Sequence, residues 1–239
     1  MKVVILSGGL GSRLGELTKS IPKPMIKICG IPLLSHIISH YYKYGYCDFI
    51  LATGYKSRII KDYYANSKNY KDHVLTLVKK KIIKINPIFT GLKTMTGGRI
   101  KRLTNYLNNE KMFLLTYGDG LSDINVNRLV DFHIKNKKIG TVTAVHPSAR
   151  FGEIIIKKNL VISFKEKPQT KKDWINGGFF VFDTKMLKFI KNDNTILEEY
   201  PLEKISSLNQ LSAYKHSGFW HCMDTPRDKK ILEDLIKSK

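Results

Sequence analysis

The first half of the chain alternates short apolar segments with longer amphipathic ones, and this alternation restricts the fold more than any other feature. Strand-length runs cover residues 3–6, 49–52, 112–116 and 140–145. Helix-length patterns cover residues 32–44, 56–64, 98–107 and 126–136. Strands that alternate with helices of this length form βαβ units. The sequence therefore predicts an α/β fold with a Rossmann-like, mostly parallel central sheet.

The second half of the chain has a different spacing. Strand candidates at residues 152–156, 160–165 and 178–182 follow one another closely, which indicates antiparallel strands added to the sheet. A helix pattern over residues 227–237 closes the chain. A chain of 239 residues can bury a good core, so we expect one domain with two halves, residues 1–145 and 146–239.

The composition is that of an ordinary globular protein, with 42% hydrophobic and 26% charged residues. No apolar run approaches the roughly 20 residues that span a bilayer, and the first strand candidate begins too close to Met1 for a signal peptide. Three scattered cysteines, at positions 29, 47 and 222, lack metal-ligand spacing and suit a reducing compartment. We therefore expect a cytoplasmic protein without a membrane partner.

The net charge of +21 leaves two explanations open. A nucleic-acid surface would account for the lysine-rich runs at residues 79–81 and 135–138. The lysines are, however, spread along the whole chain, without a basic tail or an arginine-rich arm. An anionic small-molecule substrate accounts for part of the charge equally well, and we expect no nucleic-acid partner.

A glycine-rich loop follows the first strand candidate. The loop covers residues 8–14 and holds Arg13, and Lys23 follows between Pro22 and Pro24. Glycines let backbone N–H groups approach phosphate oxygens, and the two cations supply charge-assisted contacts. The loop lacks the Gly-Lys-Ser/Thr of a Walker A motif and the third glycine of a dinucleotide fingerprint. The pattern favours a polyphosphate-binding loop, although a plain turn explains the loop residues when they are taken alone.

Two aspartates are candidates for a metal site. Asp119 follows the strand candidate at residues 112–116, at the edge where open α/β sheets bind ligands. Asp224 lies two residues before Pro226, in a segment that also suits the start of a helix. Magnesium that bridges nucleotide phosphates takes one or two protein carboxylates, so the pair indicates a Mg²⁺ site. Taken singly, a turn explains Asp119 and a helix cap explains Asp224.

Three further segments place polar residues beside glycines or at strand ends. Thr96 and Arg99 precede a helix candidate, and the arginine can make bidentate contacts. Glu166 and Asn176 suit hydrogen bonds to sugar hydroxyls, and Lys167 suits a phosphate. The structural alternatives are a helix-capping loop, a charged turn and a β-bulge.

In this order, the segments resemble the sugar-phosphate nucleotidyltransferases, and in particular their cytidylyltransferase branch, over nearly the whole chain. The general family motifs are at residues 8–14, 23–25, 118–120 and 166–168. The motifs of the cytidylyl branch are at residues 95–99, 150–152, 175–181, 218–220 and 223–225. The resemblance implies a GT-A-like fold, with residues 1–145 as a nucleotide-binding core and residues 146–239 as a small antiparallel sugar-phosphate-binding lobe.

The resemblance also implies an activity: transfer of CMP from CTP to a sugar 1-phosphate, with glucose 1-phosphate as the expected acceptor. It implies that Arg13, Lys23 and Asp119 are catalytic, and that Asp119 and Asp224 hold Mg²⁺. The implied nucleotide-binding residues are Leu6, Gly8, Gly9, Gly11, Ser12, Arg13, Lys23, Thr96, Arg99 and Gly118. The implied sugar-phosphate-binding residues are Glu166, Lys167, Asn176 and Gly177. A homo-oligomer is expected as well.

Two alternatives stay open. One is the same reaction with UTP or dTTP, or with another phosphorylated acceptor, because residues 67–93 are shorter and richer in lysine than in the family. The other is a catalytically silent protein that binds a sugar nucleotide and regulates a partner. Retention of Lys23, Asp119 and Asp224 together argues against the second alternative, because binding alone does not require all three.

Overall fold

The structure is a computed structural model, and it describes residues 1–66, 82–147, 152–165 and 173–237. Its strands are β1 (Val3–Ser7), β2 (Lys27–Ile28), β3 (Ile31–Pro32), β4 (Asp48–Thr53), β5 (Lys84–Phe89), β6 (Met112–Tyr117), β7 (Gly120–Ser122), β8 (Gly140–Val145), β9 (Glu153–Lys157), β10 (Leu160–Lys165), β11 (Ile175–Asp183), β12 (Leu211–His216) and β13 (Trp220–Cys222).

The helices are α1 (Glu16–Ser20), α2 (Leu33–Lys43), α3 (Ser57–Ala65), α4 (Thr96–Arg102), α5 (Thr104–Leu107), α6 (Val126–Asn136), α7 (Tyr200–Ser207) and α8 (Pro226–Lys237). Short 3₁₀ helices cover Ser12–Leu14, Lys23–Met25 and Thr184–Phe189. Across the described ranges, none of the helices is long and apolar enough to cross a membrane.

Seven strands form the central sheet, in the order β12-β8-β11-β6-β1-β4-β5. β1 pairs in parallel with β4 and β6, β4 with β5, and β8 with β12. β11 lies antiparallel between β6 and β8. Every strand of this sheet except β11 therefore points the same way, and the predicted α/β fold with a mostly parallel sheet is confirmed.

The small antiparallel element that the sequence predicted is also present. β9 and β10 pair as a separate antiparallel hairpin, and β7 with β13 and β2 with β3 form two further short pairs. The second half of the chain is not confined to these elements, because β11 and β12 pair with strands of the first half.

The central strands are buried on both faces, which explains why their sequences are continuously apolar rather than alternating. All five residues of β1 are buried. Val3 and Ile5 pack into one core with residues of α2 and α8, and Val4 and Leu6 pack into a second core with residues of α4 and α7. The sheet is thus sandwiched between two apolar layers, which hold its strand ends in place.

Edge strands and short helices differ from the sequence prediction. The helix pattern at residues 98–107 is two helices, because the Leu103 N–H donates to the Ile100 carbonyl three residues back and tightens the turn.

The sequence does not predict strand β5. It lies at the sheet edge, contains Pro87 and leaves its residues partly exposed, so it carries no continuous apolar run.

His40 on α2 is a half-buried titratable group that lies beside the first core. Its ring lies edge-on to the rings of Tyr41, Tyr44 and Phe179. Its Nε2 atom is buried and has no hydrogen-bond partner among the described residues. Burial is the main cause that lowers the pKa of His40 to about 4.

We expect the free energy of unfolding to decrease as the pH falls from about 6.5 to about 4, because the unfolded chain binds a proton at His40 that the folded chain does not. The decrease attributable to this group is at most about 3 kcal/mol. Urea unfolding at a series of pH values measures it. His40→Leu should flatten the profile, because it removes the titrating ring. An equally steep profile in His40→Leu would contradict this explanation.

Candidate active site

Strands β1 and β6 are neighbours in the sheet and form its topological switch point. After β1, the chain places β4 and β5 on one side of β1 and then places β6 on the other side. Open α/β sheets bind ligands beyond the carboxyl ends of strands at such a point. The segments that follow β1 and β6 lie together there, because the Gly118 N–H donates to the Leu6 carbonyl at 2.9 Å.

Close packing requires glycine at two positions in these segments. Gly11 has a φ of +66°, and a Cβ atom there would lie 3.0 Å from the side chains of Lys23 and Thr18. A Cβ atom at Gly118 would lie 2.9 Å from the Leu6 carbonyl oxygen. The Thr18 hydroxyl also donates to the Gly11 carbonyl at 3.2 Å. These contacts hold the glycine loop directly beside Lys23.

A cleft of about 500 Å³ opens at this edge of the sheet. It is lined by every residue predicted to bind the nucleotide or the metal, namely Leu6, Gly8, Gly9, Gly11, Ser12, Arg13, Lys23, Thr96, Arg99, Gly118, Asp119 and Asp224. Tyr117 and residues 92–95 also contribute to its wall. The fold thus brings the predicted set together, and the contact of each residue with a ligand stays a prediction.

The centre of the cleft is a charge cluster around Lys23. The Lys23 ammonium lies 2.7 Å from a carboxylate oxygen of Asp119 and 2.8 Å from one of Asp224. Burial alone would lower the pKa of Lys23, but the charges and hydrogen bonds of the two aspartates raise it above its ordinary value. Lys23 is therefore a permanently charged group at neutral pH. The two carboxylates thus converge on the Lys23 ammonium, and a metal ion shared by them stays a prediction.

The loop that carries Asp224 is held by the start of α8. The Asp228 carboxylate accepts hydrogen bonds from the N–H groups of Asp224 at 3.0 Å and Thr225 at 2.7 Å. The Thr225 hydroxyl in turn accepts from the Asp228 N–H at 3.3 Å. This reciprocal cap leaves the Asp224 side chain free to contact Lys23 and Arg13, with the Arg13 contact at 3.0 Å. The role of Asp228 was missed, although Thr225-x-x-Asp228 is a recognisable capping signal.

Arg99 lies beneath the glycine loop and is only 5% exposed. Its Nη2 atom donates to the Gly8 carbonyl at 3.0 Å. Its Nη1 atom donates to the Thr53 and Gly91 carbonyls at 3.1 and 2.8 Å and to the Thr90 hydroxyl at 2.8 Å. Arg99 therefore ties the glycine loop to the ends of β4 and β5. A contact between Arg99 and a nucleotide stays a prediction.

Gly54 belongs to the same contact and was missed by the sequence analysis. It directly follows β4, and a Cβ atom there would lie 2.6 Å from both the Arg99 Nη1 atom and the Gly8 carbonyl oxygen. The signal that could have found it is a glycine immediately after a buried strand, as at the end of β1.

Glu198 links two walls of the cleft. Its carboxylate accepts hydrogen bonds from the Thr96 hydroxyl at 2.7 Å and from the Tyr117 hydroxyl. Burial, followed by the charge of Glu198, raises the pKa of Tyr117, which keeps the phenol protonated. Sequence reasoning missed Glu198 because Thr96 and Glu198 are 102 residues apart and no local motif marks the pair.

Two of the four residues predicted to bind the sugar phosphate lie in the described part of the chain. Asn176 and Gly177 lie at the start of β11, where the Asn176 Nδ2 atom is 3.5 Å from the Tyr117 hydroxyl and the Gly177 carbonyl accepts from the Trp220 indole at 2.6 Å. The register of β11 against β8 shifts between Asn176 and Phe180, so the pairing of the two strands is irregular at this place. Glu166 and Lys167 lie outside the described residues.

Comparison with known proteins gives consistent matches. Residues 2–223 match the family described as nucleotidyl transferase. The chain is 42% identical to the glucose-1-phosphate cytidylyltransferase of Salmonella typhimurium, over 98% of this chain and 95% of that protein. It is 34% identical to the D-glycero-alpha-D-manno-heptose 1-phosphate guanylyltransferase of Campylobacter jejuni, over 87% and 86% of the two chains.

A solved structure has the same fold. The UDP-glucose pyrophosphorylase from Acinetobacter baumannii matches with a TM-score of 0.74 over 97% of this chain and 91% of that chain. Its sequence identity is 15%, so the similarity concerns the fold alone.

We expect Gly54→Ala to destabilise the protein by about 1–3 kcal/mol, because the added methyl group has no room between Arg99 and the Gly8 carbonyl. Gly9→Ala is the matched control, since a Cβ atom there meets nothing within 4 Å. Chemical denaturation of both variants measures the difference. Equal midpoints for Gly54→Ala and the wild type would show that the Arg99 contact tolerates a shift.

Proposed function

Because the chain belongs to the nucleotidyl transferase family, we propose that it transfers CMP from CTP to a sugar 1-phosphate, with α-D-glucose 1-phosphate as acceptor, and releases pyrophosphate. The family resemblance inferred from the motifs is confirmed by the match over residues 2–223. The observation that carries the proposal is the convergence of Lys23, Asp119 and Asp224 beside the glycine loop. That arrangement supplies the charges that nucleotidyl transfer requires.

The reaction is a displacement at phosphorus. A phosphate oxygen of the sugar 1-phosphate attacks the α-phosphorus of CTP in line, and the bond between this phosphorus and the pyrophosphate oxygen breaks. No protein base is needed, because the attacking phosphate is already ionised at neutral pH. The barrier is electrostatic, since two anions must approach and negative charge accumulates on the pyrophosphate. Positioning and cationic stabilisation therefore account for catalysis.

The cleft supplies this stabilisation through its own residues. In the proposed complex, backbone N–H groups of the glycine loop bind the phosphates, as glycine-rich loops at strand ends do. Arg13 and Lys23 contact phosphate oxygens and offset the developing charge. The side chain of Arg13 is 69% exposed, which lets it reach a ligand at the cleft mouth, whereas that of Lys23 is 11% exposed and acts from within.

Asp119 and Asp224 fit a divalent cation. One oxygen of each carboxylate lies near the same nitrogen, at 2.7 and 2.8 Å, so these two oxygens cannot be farther apart than the sum of these distances. No group of three or more candidate ligands occurs in the part of the chain that the structure describes. Mg²⁺ characteristically uses one or two carboxylates and completes its shell with phosphate oxygens and water. When bound, it would neutralise the phosphates of the nucleotide.

The acceptor is proposed to bind on the β11 side of the cleft. Asn176 and Gly177 are the described members of this set, and Asn176 lies beside Tyr117, a residue of the cleft wall. Glu166 and Lys167 complete the proposed set on sequence grounds. An amide and a carboxylate suit sugar hydroxyls, and a lysine suits the phosphate.

Assembly and location extend the proposal. We propose a homo-oligomer, supported by the β9–β10 hairpin, which exposes seven large apolar side chains, Ile156, Leu160 and Phe164 among them. A monomeric mass by light scattering would rule this out.

We also propose a cytoplasmic location, supported by the three free cysteines of the described ranges, and fractionation of cells would test it.

A substrate panel tests the proposed reaction. We expect the highest kcat/KM for CTP with glucose 1-phosphate when pyrophosphate release is measured across CTP, UTP, dTTP and GTP and several sugar 1-phosphates. The panel includes GTP because a guanylyltransferase is among the similar proteins. Preference for another pair would correct the substrates but keep the reaction. Tight sugar-nucleotide binding without pyrophosphate release from any pair would favour the regulator instead.

The charge cluster is tested by substitution. Lys23→Ala and Asp119→Ala should each lower turnover by roughly 10²-fold or more, since each removes one stabiliser of the transition state. Lys19→Ala is the control, because this lysine pairs with Glu16 and its side chain is 72% exposed. Near wild-type rates in either cluster variant would refute the assigned roles.

A further inference from the structure

Lys23 lies where a cation shared by Asp119 and Asp224 would lie. Its ammonium contacts one oxygen of each carboxylate at 2.7 and 2.8 Å. Arg13 contacts the second oxygen of Asp224 at 3.0 Å. The chain thus supplies a cationic partner to both proposed metal ligands, and the cluster of two carboxylates and two cations is electrically balanced.

This balance conflicts with metal binding in the same place. A lysine ammonium and a divalent cation compete for the same two carboxylates, because the oxygens that contact the ammonium are less available to a metal and the two positive charges repel each other. The three side chains are mostly buried, so solvent screens this repulsion only weakly. Arg13 interferes less, because its side chain is largely exposed and its ion pair is screened.

A polyanion bound in the cleft would offer the Lys23 ammonium another partner. The glycine loop lies against the Lys23 side chain, since a Cβ atom at Gly11 would lie 3.0 Å from the Lys23 Cβ atom. Lysine carries its charge on a flexible four-carbon stem, so its ammonium can move from a carboxylate to a phosphate by rotation of side-chain bonds.

We propose that Lys23 is an internal counter-ion that occupies the Asp119–Asp224 pair until a nucleoside triphosphate enters, and that its transfer to the phosphates frees the pair for the metal. The inference rests on the proposed function, because it takes the ligand to be a nucleoside triphosphate. Metal and nucleotide then bind cooperatively, and by linkage each raises the affinity for the other equally. The same lysine thus blocks the metal site while no nucleotide is bound and contacts the phosphates once a nucleotide is bound.

Metal binding by the full-length protein tests this inference. Mn²⁺ is titrated calorimetrically, without nucleotide and with a non-hydrolysable CTP analogue, into the wild type, Lys23→Met, Lys23→Arg and Lys19→Met. Without nucleotide, Lys23→Met should bind Mn²⁺ about tenfold or more tightly than the wild type, because the competing charge is gone. Lys23→Arg, which keeps the charge, and the surface control Lys19→Met should bind Mn²⁺ like the wild type. The factor by which the analogue improves Mn²⁺ binding should be smaller in Lys23→Met than in the wild type.

Unchanged or weaker Mn²⁺ binding by nucleotide-free Lys23→Met overturns the inference, as does equally tightened binding by Lys23→Arg. Circular dichroism verifies folding, and if Lys23→Met does not fold, Lys23→Gln replaces it with the same expectation. The result is separable from the proposed function. If the wild type is active but its Lys23 variant gains no Mn²⁺ affinity, only the counter-ion role of Lys23 is refuted. If the protein releases no pyrophosphate, only the proposed transferase activity is refuted.

Discussion

The ion pairs of Lys23 with Asp119 and Asp224 are the interaction on which the site depends. They join segments 96 and 201 residues apart, and so tie the 3₁₀ helix at Lys23–Met25, the end of β6 and the start of α8 into one structure. Removing a charge from this partly buried set leaves its partners unpaired, which costs more than the loss of an exposed ion pair. The same three side chains therefore hold these segments together and carry the roles proposed for catalysis and metal binding.

A second polar centre, around Arg99, holds the glycine loop that lies beside Lys23. Arg99 donates hydrogen bonds to carbonyls of the glycine loop, of the last residue of β4 and of the segment after β5. Buried carbonyls need donors, and one guanidinium supplies several in a planar fork. Thr96, three residues earlier on α4, reaches Glu198 instead. One short helix thereby positions both the glycine loop and the wall that contains Tyr117.

Strands with a strong local pattern are predictable from the sequence, whereas exposed strands and long-range contacts are not. β1 and β6 were predicted closely because both faces of these strands are buried, which requires continuous apolar runs. β5 and β12 were missed because edge strands are partly exposed and carry no such run. Asp224 was recognised both as a metal ligand candidate and as part of a helix start, and the Thr225–Asp228 cap shows that the helix start is present. Glu198 carried no local signal, because its partners are distant in the chain.

The sequence by itself determined the family, the order of the glycine loop, lysine and aspartates, and the mostly parallel sheet, because local patterns of apolar and glycine residues encode strands and turns. Only the tertiary structure decided how the charges pair. It placed the Lys23 ammonium between two carboxylates and aimed Arg99 at the Gly8 carbonyl rather than leaving it on an exposed helix face. These contacts join side chains from segments that follow different strands of the sheet. The distances between those side chains depend on how the whole sheet packs, so no single segment of sequence encodes them.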